Sequence, residues 1–120
     1  MLAAFVMLGI AAAKPPAGTH RNLQILPKDI SDQKLDSIME SYNNALGIGC
    51  GFCHSPAKNI ADSLDFASDE NPMKEDARKM MRMTIDINKN NFYFDKSIRP
   101  EYLNVVHCKT CHRGEAYPES

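Results

Sequence analysis

All four cysteines of this chain fall into two copies of one pentad, Cys50-Gly51-Phe52-Cys53-His54 and Cys108-Lys109-Thr110-Cys111-His112. The C-x-x-C-H pattern is the attachment signature of a c-type haem. Two thiols one helical turn apart can add to the two vinyl groups of one porphyrin. The adjacent imidazole then addresses the iron from the same face. Other uses of paired cysteines fit less well. A zinc ribbon needs its C-x-x-C pairs about 15–20 residues apart, whereas residues 54–107 intervene here and the trailing histidines would be idle. A thioredoxin-like redox pair needs one C-x-x-C in a βαβ setting, which the pattern does not offer. Structural disulfides do not require the two histidines. The expected cofactors are therefore two haem c, held covalently by Cys50, Cys53, Cys108 and Cys111, with His54 and His112 on the irons.

That expectation explains an otherwise thin core. Apolar residues make up 43% of the chain and charged residues 24%, as in a soluble globular protein, yet there is no Trp and aromatic residues are only 8%. Two large apolar porphyrins would replace much of the interior that a 120-residue chain otherwise lacks. The domain is expected not to fold stably without them. The net charge of −1 gives no argument for a nucleic-acid partner, and predicts no strong steering towards a charged docking site.

Residues 1–18 read as an export signal or an N-terminal membrane anchor, and residues 19–120 as a two-haem domain. Met1–Ala13 carries no charged side chain, and Ala11-Ala12-Ala13 offers a small-residue cleavage pattern before Lys14. Attachment of c-type haem takes place outside the cytoplasm, so a periplasmic or other extracytoplasmic location is expected. Residues 14–27 form a linker with Pro15, Pro16, Gly18 and Pro27.

Two helices are predicted ahead of the pentads. The first starts at Ser31 as N-cap, with Asp32 in the first turn and Ile30 and Leu35 placed for a hydrophobic staple. Leu35, Ile38, Met39, Tyr42 and Leu46 form one apolar stripe with Met39 on the buried face, and Gly47 closes the helix. The second starts with Asn71 as cap and Pro72 in the first position, and runs from Met73 to about Asn90. Met73, Ala77, Met80, Thr84 and Ile87 share its apolar face, with Met81 and Met83 to either side. The fold class is mainly α, with two helix–turn–C-x-x-C-H units and few or no strands.

Each unit pairs a pentad histidine with a thioether on a helix. A methionine on an apolar face is ordinarily a flexible core filler, but two irons need sixth ligands and the spare histidines are only His20 and His107. Met39 is the candidate for the first iron and Met80 for the second, with Met81 and Met83 as rivals. Phe92, Tyr93, Phe94, Pro100 and Tyr102 wall a haem edge or pack ordinarily. Lys28, Lys34, Lys58, Lys74, Arg78, Lys79 and Arg82 are expected on solvated faces, and Arg113 either neutralises a propionate or is simply exposed.

Five segments carry a resemblance to a known family. They are Asn22–Ile30 (NLQILPKDI), Met39–His54 (MESYNNALGIGCGFCH), Asp65–Asp69, Ala77–Thr84 (ARKMMRMT) and Cys108–Gly114. Together they resemble the cytochrome c subunit of photosynthetic reaction centres, and more closely the small two-haem proteins that share its domain, over residues 20–115. The resemblance implies that a helix runs beside each haem plane and supplies a methionine as sixth ligand, matching Met39 and Met80. The larger subunit has four haems in two pairs, so this chain corresponds to one pair. Its histidine ligand to a distant haem has only His107 as counterpart here, and that role does not carry over. The expected function is extracytoplasmic electron transfer between redox protein partners, with no small-molecule substrate and no catalysis. The alternatives are a fixed electron-conducting subunit of a respiratory, photosynthetic or polymeric haem assembly and, less favoured, a small haem enzyme or ligand sensor.

Overall fold

Helix caps set the ends of the two long elements in the computed structural model, which describes residues 21–119. The export signal or anchor expected over residues 1–18, and His20, lie outside the described residues. Helix α1 spans Asp32–Leu46. The Ser31 hydroxyl accepts from the Lys34 amide at 3.2 Å, and Gly47, with φ at 65°, turns the chain out of the helix. Helix α2 spans Pro72–Asn91, with the Asn71 side chain accepting from the Met73 amide at 3.0 Å and Pro72 in the first position. A third helix, α3, is the second pentad itself, Cys108–His112. Two-residue strands β1 (Ser55–Pro56) and β2 (Leu64–Asp65) pair antiparallel, Ser55 opposite Asp65. Short 3₁₀ turns cover Cys50–Phe52 and Pro100–Tyr102. The mainly helical expectation holds.

Packing inverts the usual distribution. Among the described residues the fully buried apolar side chains are Leu26, Ile30 and Ala45, while Lys74, Arg78 and Asn88 are buried too. Lys74 and Arg78 therefore depart from the expected solvated face, whereas Lys28, Lys34, Lys58, Lys79 and Arg82 are exposed. The reason lies in the loops. Segments without regular structure must find partners for their backbone groups, and α2 supplies several. Lys74 Nζ donates to the carbonyls of Phe66 at 2.9 Å and Ser68 at 2.6 Å. The Arg78 guanidinium donates to the Asn22 carbonyl at 3.3 Å and to Asp69 at 2.9 Å. Asn88, only 1% exposed, donates to the carbonyls of Leu103 and Val106 and accepts the Val106 amide at 2.8 Å.

The end of α1 meets the turn after α3. The Gly114 amide donates to the Ala45 carbonyl at 2.8 Å. A Cβ on Gly47 would lie 2.1 Å from the Gly114 carbonyl oxygen, so this crossing demands glycine both for its φ and for its space. One helix end thus leads directly into the first pentad and supports the second. A bidentate Arg99–Asp29 pair, 2.7 and 2.9 Å, ties the loop before α3 back to the start of α1.

Candidate functional site

The first pentad follows α1 through the turn Gly47-Ile48-Gly49. Its cysteines lie in and just after a 3₁₀ turn, and the His54 amide donates to the Cys50 carbonyl at 3.0 Å. Asn43 Nδ2 donates to Cys50 Sγ at 3.5 Å. From the other side, Asn71 Nδ2 donates to the Phe52 carbonyl at 3.0 Å, so the residue that caps α2 also anchors this pentad. The His54 ring stands edge-on to Phe66, centroids 5.0 Å apart. Its Nδ1 is buried and has no hydrogen-bond partner. Burial first, then the positive charges of Lys74 and Arg78, hold the His54 pKa below its ordinary value. The neutral imidazole so favoured is the ligating form. Burial also pushes the Cys53 thiol up.

The second pentad differs in almost every local detail. His107 precedes the helix as N-cap, its amide donating to Thr110 Oγ1 at 3.1 Å. Arg113 and Gly114 both take positive φ, 52° and 96°, and turn the chain back. That turn brings the Glu115 carbonyl to 2.9 Å from His112 Nδ1. A carbonyl oxygen only accepts, so Nδ1 is the donor in this contact. This is the arrangement by which proteins orient a metal-ligating histidine. Burial raises the Cys108 thiol and the Tyr42 hydroxyl. Between α1 and this pentad lies a cleft of about 260 Å³ lined by Tyr42, Ala45, Asn104, His107 and Cys108, among others.

None of the four cysteines takes part in a disulfide. Among the described residues no three His, Cys, Asp or Glu side chains cluster as a metal-holding group. Both pentads fit a covalently attached haem, which consumes the thiols and needs one unprotonated imidazole nitrogen.

The candidate thioethers are more open. Met39 is half-buried on α1 rather than fully buried. Met80 is 42% exposed and Met83 44%, whereas Met81 is half-buried. Of the expected apolar face, Met73, Ala77, Thr84 and Ile87 are half-buried. The fully buried stripe is the neighbouring one, Lys74, Arg78 and Asn88, which lie within about 80° of each other on the helical wheel. The sequence reading missed Asn88 and misplaced Lys74 and Arg78. Their common face was legible from spacing, but their polarity argued for solvent. Arg113 is exposed, as is Phe94 at 84%. Tyr93 and Tyr102 lie under lysine ammonium groups, Lys96 and Lys34 respectively.

Comparison with known proteins adds an independent line. The family model described as "Photosynthetic reaction centre cytochrome C subunit" matches residues 7–120. Cytochrome c-554 of Chloroflexus aurantiacus is 38% identical over 94 residues, 78% of this chain and 20% of that protein. The photosynthetic reaction center cytochrome c subunit of Roseobacter denitrificans is 31% identical over 101 residues, 82% of this chain and 25% of that protein. The chain thus spans a quarter or less of the length of these curated relatives. No solved structure matches.

Proposed function

Because the chain belongs to the photosynthetic reaction centre cytochrome c subunit family, we propose that it carries electrons outside the cytoplasm with two covalently held c-type haems. The observation that carries the reading is the donor chemistry of the pentads. Each presents two cysteines outside any disulfide beside one imidazole, and at His112 the Glu115 carbonyl takes Nδ1 and leaves Nε2 to face a ligand. When bound, each haem supplies a one-electron ferric–ferrous couple.

The chain's own residues do the rest. Cys50 and Cys53 would hold one porphyrin through thioether bonds, and Cys108 and Cys111 the other. His54 and His112 would each offer Nε2 to an iron. Met39 offers its sulfur to the first iron and Met80 to the second, with Met81 and Met83 as the competing donors on the same helix. With a thioether as well as an imidazole on each iron, the bound haem would have a raised reduction potential and no open position for a substrate, which is the chemistry of a carrier. The contact between α1 and the turn after α3 joins both pentads to the same helix end.

A second reading keeps the chemistry and changes the setting. The Roseobacter relative is by name a reaction-center subunit, which favours a fixed electron-conducting subunit of a membrane complex over a diffusing periplasmic carrier. No helix of the described residues is long and apolar enough to cross a membrane.

The test is the intact mass, under denaturing conditions, of protein isolated from native membrane and soluble fractions. Mass added by two haems is expected, and one or none overturns the reading. Recovery in the membrane fraction with other redox proteins selects the fixed subunit. Exposure to cyanide and carbon monoxide tests the methionines: a protein with both sulfurs on iron resists both ligands, and rapid binding rejects that ligation.

A further inference from the structure

The turn that follows α2 carries apolar side chains outward. Phe94 is 84% exposed and Ile98 40%. The turn is ordered by its own bonds. The Phe94 amide donates to the Phe92 carbonyl at 3.0 Å, and the Ser97 amide and hydroxyl donate to Asp95 at 2.9 and 2.7 Å. Lys96 Nζ lies 3.8 Å from the centre of the Tyr93 ring. A fixed backbone thus holds apolar surface in water, where it gains free energy from any apolar cover.

Contacts place this turn beside the start of the described chain. Arg99, next to Ile98, holds Asp29 through two hydrogen bonds. Arg21 donates to the Ile30 carbonyl at 2.7 Å and pairs with Asp32. Both contacts lie at the N-terminal end of α1. The first pentad follows the other end of that helix and the turn after the second packs there, about 22 Å of helix away. Upstream of Arg21, residues 14–20 separate it from the uncharged run Met1–Ala13. Fully extended, those linking residues reach about 25 Å. A bilayer that takes up Met1–Ala13 therefore lies within reach of the N-terminal end of α1 and of the turn tied to it.

Size and charge choose lipid over protein as the cover. A phenylalanine buries about 150–250 Å², so Phe94 with one isoleucine falls short of the ~800 Å² per partner of a stable protein interface. A bilayer asks less of the turn, because lasting attachment takes two weak signals in one membrane, and Met1–Ala13 supplies the other. The Arg99–Asp29 and Arg21–Asp32 pairs cancel. Lys28, Lys34 and Lys96 are offset by Asp36, Asp95 and Glu101. This end is close to neutral, so its contact rests on apolar insertion rather than on anionic headgroups.

We propose that Phe94 and Ile98 insert into the interface of the bilayer that holds Met1–Ala13, seating the domain on the membrane by the N-terminal end of α1. This goes beyond the electron-carrier reading and does not depend on the number of haems.

The experiment is hydrogen exchange of the full haem-loaded chain with and without phosphatidylcholine vesicles, read beside a sedimentation assay of partitioning. Vesicles are expected to protect residues 92–99 and to leave residues 57–66 unchanged, and added salt should alter partitioning little. Phe94→Ser should lower partitioning about tenfold, and Phe94→Leu should keep it. Ile60→Ser, at a 64% exposed position between β1 and β2, should not move it. If Phe94→Ser does not fold, Ile98→Ser carries the test. No vesicle-dependent protection of residues 92–99, or an equal loss in Ile60→Ser, overturns the proposal. Protection without vesicles also overturns it: growth with protein concentration assigns the turn to a second copy, and a constant level assigns it to residues 1–13 of the same chain. Two haems in the mass spectrum with an unprotected turn reject this seating and leave the carrier reading standing. Fewer than two haems with a protected turn do the reverse.

Discussion

The first pentad sits in a 3₁₀ turn beneath the start of α2, whereas the second forms a five-residue α-helix against the end of α1. The five residues obey the same pattern, so the difference comes from the chain on their C-terminal side. After His54 the chain runs through Ser55-Pro56 into a strand, which keeps its carbonyls away from the imidazole. After His112 it turns through Arg113 and Gly114 at positive φ and returns the Glu115 carbonyl to the ring. One histidine meets a carbonyl of its own turn, and the other is buried without a partner at Nδ1. One short motif therefore takes two conformations, and the flanking chain decides what each histidine meets.

The largest expected effect tests how the second pentad is held. Asn88 fixes the loop before α3 with three hydrogen bonds. Asn88→Ala leaves two carbonyls and one amide buried without partners, a loss of about 3 kcal/mol. A guanidinium midpoint of the haem-loaded protein reads it, and a cost under about 1 kcal/mol would mean that water replaces those bonds.

The next comparison sets two glycines of one crossing against each other. Gly47→Ala should cost more than ~2 kcal/mol, because left-handed strain of about 1–2 kcal/mol adds to a collision with the Gly114 carbonyl. Gly114→Ala meets nothing within 4 Å and should cost only the strain. Equal losses in the same denaturation assay would remove the close approach from the account of how the pentads are joined.

At the first pentad, Asn71→Ala should cost about 1–2 kcal/mol by removing both the helix cap and the bond to Phe52. Asn71→Asp restores the cap oxygen but not the donor, so it should recover only part of the loss. Complete recovery would show that the link to Phe52 contributes nothing.

The smallest effect is a pH dependence confined to the same side of the molecule. Hydrogen bonding to Arg78, above all, and also to Asn22 and Lys74, holds the Asp69 pKa down to about 2. The folded value lies below the unfolded one, so this contribution is complete above about pH 4 and fades as the pH falls towards 2. Denaturation midpoints across that range should decline less steeply for Asp69→Asn than for the native protein. Identical slopes would separate Asp69 from acid stability.

Much of the local structure was legible from neighbouring residues. Ser31, Gly47, Asn71 and Pro72 act where their chemistry places them, because caps and turns depend on groups a few residues away. The two pentads are legible for the same reason. Asn88 was not, since nothing near it announces that Leu103 and Val106 need partners. Lys74 and Arg78 read as surface charges because an isolated cation belongs in water, and only the arrival of Asn22, Phe66, Ser68 and Asp69 makes burial tolerable.

By itself the sequence determined the helix ends, the mainly helical class and the family, all of which rest on short-range spacing and side-chain chemistry. The tertiary structure decided which face of α2 turns inward, that α1 joins the two pentads, and that His54 and His112 differ in hydrogen bonding and field. Those outcomes depend on where distant backbone groups come to rest, and an unpaired buried carbonyl costs enough to draw even a lysine inward to meet it.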